Sequence, residues 1–94
     1  MKKAYLLTFS NSLGTQEEVK ECLDTISAVE IWRYDMLNAF YIISEDNAER
    51  IFNQIKRHFN NNGRFIIAEI TDNSQGWLTN KSWYLIENKE IKEG

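Results

Sequence analysis

The chain has 94 residues, a net charge of −3, 43% apolar and 13% aromatic residues, which describes one domain around a single core and excludes a disordered chain. The acidic balance lacks the basic footprint of a general nucleic-acid binder. No apolar run approaches the roughly 20 residues of a membrane-spanning helix.

Lys3 to Phe9 predicts a first strand, with Tyr5, Leu7 and Phe9 on one face and Ala4, Leu6 and Thr8 on the other. Ser10-Asn11-Ser12-Leu13-Gly14 is a loop. Thr15-Gln16-Glu17-Glu18 matches a capping box, in which the Thr hydroxyl and the Glu18 carboxylate satisfy free backbone N–H groups. Val19, Cys22, Leu23 and Ile26 follow at helical spacing and should face a sheet. Ala28 to Asp35 and Ala39 to Ser44 predict two further strands, and Asp35-Met36-Leu37-Asn38 between them has turn formers at both ends, as in a hairpin.

Ser44 is the expected cap of a second helix, with Glu45 and Asp46 complementing its dipole. Ala48, Ile51, Phe52, Ile55 and Phe59 give that helix one apolar stripe, and Asn62-Gly63 supplies a left-handed stop. Arg64 to Thr71 is the fourth strand and Asp72 to Gly76 a turn. Thr79 caps a short last helix carrying Trp83 and Ile86, and Glu87 to Gly94 is polar and expected to fray. Nothing divides the chain, so residues 1–94 read as one domain.

Strand, helix, strand, strand, helix, strand is the split βαβ order of an α+β ferredoxin-like domain: a four-stranded antiparallel sheet, two helices on one face, and here a short C-terminal helix. The uncovered face of such a sheet should be polar at alternate positions. Instead Ile42-Ile43 and Phe65-Ile66-Ile67 are consecutive apolar residues, and strands apolar on both sides are buried on both sides. The last helix and Trp77 are expected to cover part of the second face. A second copy of the chain should cover the rest, because closed twofold dimers are the commonest assembly.

Few residues point to chemistry. Cys22 is alone, which excludes an internal disulfide or a cysteine metal cluster, and it reads as a small buried hydrophobe. Met1-Lys2-Lys3 runs directly into a strand rather than into an apolar leader, so a cytoplasmic location is expected. The lone His58, among Lys56, Arg57 and Asn60, lacks the partners of a catalytic triad or a zinc site and reads as a solvated helix residue. No cofactor or metal is expected.

Alternation along Trp32-Arg33-Tyr34-Asp35 puts Trp32 and Tyr34 on one face and Arg33 on the other. An arginine among apolar strand neighbours calls for an acid, and Asp35 or Glu69 could supply it in a fold or dimer ion pair. The same segment could also form an aromatic–basic surface for a ligand or a single strand. Glu69, a charge within Ile67-Ala68-Glu69-Ile70, is open to three roles: catalytic carboxylate, interface pair or exposed strand end. Ser10 and Asn11 precede a helix N-terminus, where an anion could sit, but the loop lacks the glycine spacing and lysine of a phosphate loop.

Trp32 to Asp35, Asn38 to Ser44, Arg64 to Ile70 and Gly76-Trp77-Leu78 together resemble a set of small bacterial and phage proteins, some called SinR-like. These are similar to the CRISPR-associated spacer-acquisition subunit and the VapD-type ribonucleases, compact ferredoxin-like domains that pair through their sheets. In the nuclease-like members an aspartate ends the first strand, and two such groups across the dimer hold a metal ion. The corresponding stretch here, Leu7-Thr8-Phe9-Ser10-Asn11, has no carboxylate, and Ser10 and Asn11 are poor magnesium ligands.

The expected function is therefore that of a non-catalytic binding or regulatory homodimer, with a protein partner favoured over nucleic acid. By resemblance it has an accessory role in a mobile-element or defence setting. Contact is expected at Trp32, Tyr34 and Trp77. Two alternatives stand beside it: a metal-dependent nuclease using Asp35 and Glu69, and an anion or nucleotide module built on Ser10 to Gly14.

Overall fold

The computed structural model describes residues 1–92. Its elements are β1 (Lys3–Phe9), α1 (Gln16–Thr25), β2 (Ile31–Arg33), β3 (Ala39–Ser44), α2 (Ala48–His58), β4 (Phe65–Glu69) and α3 (Asn80–Asn88). The strands form one antiparallel sheet in the order β2-β3-β1-β4, the ferredoxin-like α+β arrangement that the element order predicts. β1 lies inside, pairing with β3 from Lys3↔Ser44 to Thr8↔Ala39 and with β4 from Tyr5↔Glu69 to Phe9↔Phe65.

Two clusters of buried apolar side chains sandwich this sheet. On the first face Tyr5, Leu7, Phe9, Phe40 and Ile42 lie under Val19, Cys22 and Leu23 of α1 and Ile51 and Ile55 of α2. On the second, Ala4, Tyr41 and Ile43 lie under Leu85 and Ile86 of α3, with Leu78 and Trp83 at the margin. β3 is buried at every position, Ala39 to Ser44, because helices lie over both of its faces. The doubly apolar pattern of β3 is thus satisfied within one chain. Trp77 takes no part in this cover: it is 100% exposed, and Leu78 and Trp83 stand where it was expected.

Several boundaries differ from the sequence expectation. The second strand is three residues, not the eight of Ala28 to Asp35, and the fourth is Phe65–Glu69. Asn47, not Ser44, caps α2: its side chain accepts from Arg50 N at 2.9 Å, while the buried Ser44 Oγ accepts from Asp46 N at 2.9 Å and builds the turn before the helix. The capping box at Thr15 and Glu18 and the cap at Thr79 form as predicted.

α2 ends on Phe59 in extended backbone (φ −102°, ψ 108°), with no left-handed stop. Gly63 is required for a different reason, since a Cβ there would stand 2.2 Å from Leu13 Cα. The left-handed residues are Asn38 (φ 60°) in the β2–β3 link and Lys89 (φ 62°), which ends α3. Of the tail expected to fray, Glu87 and Asn88 belong to α3, and positions 93 and 94 lie outside the described residues.

Candidate functional site

The β2 edge carries the main aromatic surface. Trp32 and Tyr34 stack at 6.4 Å between ring centroids, and both meet Phe40 edge-on, at 5.6 and 5.5 Å. Trp32 Nε1 donates to Asp24 Oδ1 of α1 at 2.6 Å, and Lys20 Nζ, also from α1, sits 4.7 Å from the Tyr34 centroid. α1 therefore fixes both rings from one side. Beside them Trp32, Arg33 and Tyr34 line an open hollow of about 360 Å³. A smaller cleft of about 110 Å³ lies between Ile31, Trp32 and Arg33 and the side chains of Lys81, Leu85 and Lys92.

Arg33 does point to the opposite face from the two rings, but it has no carboxylate within 4.0 Å among the described residues. Its Nε donates to Ser82 Oγ of α3 at 2.9 Å. Ser82 Oγ lies 3.1 Å from Thr79 Oγ1, which lies 3.1 Å from Asp35 Oδ1; the Thr79 N–H reaches Asp35 Oδ2 at 3.4 Å. Thr79 has one hydroxyl proton. With that proton on Asp35, Ser82 donates to Thr79 and accepts from Arg33, so every link has a donor and an acceptor. Arg33 and Asp35 are thus joined through two hydroxyls of α3, and the chain of bonds holds the start of that helix against β2.

Tyr41 lies in the same region, and its buried hydroxyl has no hydrogen-bond partner. Burial pushes its pKa up to about 12; the nearby Asp35 carboxylate adds to the shift by its charge and by its approach to the hydroxyl, although the geometry falls short of a hydrogen bond, and Arg33 opposes it.

Glu69 lies at the end of β4, opposite Tyr5, and is exposed. Burial, then the charges of Glu69 and Asp46, raises the Tyr5 pKa, and the Tyr5 hydroxyl donates to the Asp46 carbonyl at 2.6 Å. β2 and β4 are the two outer strands, so Arg33 and Asp35 stand about 14 Å from the line of Glu69, three strand spacings away. The carboxylates of Asp35 and Glu69 therefore do not converge within one chain. Among the described residues no three His, Cys, Asp or Glu side chains gather as a cation site.

Ser10 and Asn11 are occupied in bracing the fold. Ser10 N donates to Arg64 O at 2.8 Å, and Ser10 Oγ accepts from Arg64 N at 2.9 Å while lying 2.8 Å from Ser12 Oγ. Asn11 Oδ1 accepts from Asn38 Nδ2 at 2.7 Å. The Glu18 carboxylate already accepts from Thr15 N at the α1 N-terminus, where a bound anion would have to displace it. A hollow of about 560 Å³ along α2 is lined by charges of both signs, Lys3, Arg50 and Arg57 with Glu45, Asp46 and Glu49. His58 is exposed near the C-terminal end of α2, and Cys22 is fully buried, which pushes its thiol up to about 11.

No helix among the described residues is long and apolar enough to cross a membrane. No protein-family model, curated protein or solved structure matches the chain.

Three of the named residues, Trp32, Arg33 and Tyr34, are brought together; Trp77 lies elsewhere on the connection to α3 and makes no aromatic contact with them. Sequence reasoning did not single out Ser82, Lys81, Lys92 or Lys20. Ser82 had a signal, its place three residues after the Thr79 cap, where a hydroxyl sits one turn above the N-cap. The lysines reach the site from other elements and carried none.

Proposed function

We propose that the protein is a non-catalytic binding module that works as a homodimer through its sheet. Support comes first from the β4 edge. α3 covers the β3 half of the second face, while Thr8, Ala68 and Ile66, the last 61% exposed, are bare on the β1–β4 half. On the first face Phe52 of α2 is 40% exposed and stacks on Phe65 at 5.0 Å.

Arg64 O and Ile70 N bond toward β1, at Ser10 N and Ala4 O. By alternation the N–H and C=O groups of Phe65, Ile67 and Glu69 point outward. No charge interrupts β4 between Arg64 and Glu69. An edge uncharged from Phe65 to Ala68, with apolar side chains on both faces, is a template for another strand.

A twofold axis normal to the sheet through Ile67 pairs Ile67 with its copy, Ile66 with Ala68 and Phe65 with Glu69, and keeps each face continuous. The single observation that carries the dimer is the exposed Ile66. The resemblance to small ferredoxin-like proteins that pair through their sheets agrees with self-association, and the separation of Asp35 from Glu69 favours binding over hydrolysis.

The test is solution mass by size-exclusion chromatography with light scattering, read with absorbance at 260 and 280 nm. The expected result is a nucleic-acid-free dimer that becomes a monomer in Ile66→Lys with unchanged far-UV circular dichroism. A monomeric wild type, or an Ile66→Lys variant that stays dimeric, overturns the β4 interface.

A further inference from the structure

The opposite edge of the sheet has a different character. β2 pairs only with β3, so its outer side leaves backbone groups unpaired. Cations flank this edge on both faces. Lys20 stands over Tyr34 on the α1 side, and Arg33, Lys81 and Lys92 line the cleft on the α3 side. On the α1 side the charges leave no positive excess, because Lys20 is paired with Glu17 at 3.0 Å and Asp24 stays charged beside Trp32 Nε1; on the α3 side Asp35 keeps its charge while bonded to Thr79. Arg33, Lys81 and Lys92 have no carboxylate within 4.0 Å among the described residues. The α3-side cleft is lined by these three cations and no acid, so in a chain of net charge −3 it is a locally positive pocket beside an open strand.

We infer that the β2 edge receives an extended acidic segment of a protein partner, added to the sheet as a fifth strand. Backbone pairing with β2 sends alternate side chains of the guest to opposite faces. Those on the α3 side enter the cleft of Arg33, Lys81 and Lys92, where carboxylates are complementary. Those on the α1 side meet the hollow beside Trp32 and Tyr34, where a small or β-branched side chain covers the rim of the rings. β2 spans only three residues and offers about three main-chain bonds. The charges must therefore supply much of the affinity, and binding should weaken with salt.

A single-stranded nucleic acid fits less well. Tyr34 stacks on Trp32 and has Lys20 over its ring, while Trp32 is held by Tyr34, Phe40 and Asp24. The platform that bases need is already occupied by the protein's own groups. The net negative charge also opposes a long polyanion.

This inference rests on the protein being a binding module but not on its dimerisation, because β2 and β4 are opposite edges. The test is fluorescence anisotropy with a fluorescein-labelled peptide of four Thr-Glu repeats, a matching Thr-Lys peptide and a labelled oligo(dT). The Thr-Glu peptide should bind, more weakly as salt rises, and the Thr-Lys peptide should not. Lys81 and Lys92 are exposed, so the Lys81→Glu/Lys92→Glu variant should stay folded and lose about tenfold in affinity.

Amide shifts in a ¹⁵N spectrum should centre on Trp32, Arg33 and Tyr34, and Ile66→Lys should bind as wild type does. Failure of the Thr-Glu peptide to bind, or equal binding by the double variant, overturns the proposal whatever the oligomeric state. Binding of oligo(dT) as tight as that of the peptide also overturns it and makes the edge a nucleic-acid surface.

Discussion

Ser82→Ala tests whether α3 is held down by the bonds between Arg33 and Asp35. Ser82 is fully buried, and its Oγ takes the Arg33 Nε–H at 2.9 Å and meets Thr79 Oγ1 at 3.1 Å. Alanine fills the space without either bond and leaves the half-buried Arg33 donor unpaired. An unsatisfied buried donor costs about 1–3 kcal/mol. A central value of about 2 kcal/mol lowers Tm by roughly 8–16 °C in a domain of this size.

The assay is thermal unfolding by circular dichroism on Ser82→Ala, Arg33→Met and the double variant. If the two residues act as one link, the double variant loses less than the sum of the singles, with a coupling of about 1 kcal/mol or more. Tyr41→Phe is the contrast within the same buried patch, because its hydroxyl makes no well-formed hydrogen bond and only approaches Asp35; removing it should cost clearly less than Ser82→Ala. A Ser82→Ala melting curve that overlays wild type, or additive losses in the double variant, would falsify the bridged link.

Two further outcomes follow from the core. Gly63→Ala should destabilise by about 3 kcal/mol in denaturant unfolding, because the added methyl would lie 2.2 Å from Leu13 Cα and 2.4 Å from Leu13 N, backbone atoms that cannot rotate away; a loss below about 0.5 kcal/mol would mean that the two loops do not meet so closely. Burial pushes the Cys22 thiol from its ordinary 9.0 to about 11, so between these values the unfolded chain releases a proton that the folded chain keeps. The unfolded state then binds fewer protons, and stability falls as pH rises from about 9 through about 11. Cys22→Ala should remove that part of the slope, and the gap between variant and wild type should narrow across this window; a gap independent of pH would refute the burial of the thiol.

Most of the fold was legible because each element carries its own periodicity. The Thr15 to Glu18 box, the Val19-Cys22-Leu23 stripe and the alternation along β1 are local patterns, and the structure reproduces them. Features decided by distant contacts were not legible. Ser44 looks like a helix cap in isolation, but it is buried at the end of β3 and spends its hydroxyl on Asp46 N, leaving the cap to Asn47. Gly63 looks like a left-handed stop, yet its lack of a side chain serves Leu13, fifty positions away.

The site divides in the same way. Trp32 and Tyr34 share a face by simple strand alternation, which the sequence reveals. The answer to Arg33 needed a third helix, because neither Asp35 nor Glu69 meets it directly. Trp77 misled for a plain reason: a large aromatic beside Leu78 implies burial, and only the turn of the chain decides which of the two enters the core.

The two outer strands also bear on why self-association would close as a dimer. With β1 and β3 inside the sheet, β2 and β4 alone present unpaired backbone. If β4 of one copy added to β2 of another, each new subunit would offer the same pair of edges, and the result would be an open fibre. The composition of the edges opposes that. The cleft beside β2 is lined by Arg33, Lys81 and Lys92, whereas β4 follows Arg64 and carries a single acid, Glu69, at its last position. A β4 strand laid along β2 would therefore bring mainly apolar side chains, with only the terminal Glu69 as an acid, to a cleft of three cations. Against its own copy the same strand would meet isoleucine with isoleucine at the centre and hold its one charge, the exposed Glu69, at the two ends opposite Phe65. On these grounds the proposed dimer would close through β4, and β2 would stay open at both ends of that dimer for the proposed acidic partner.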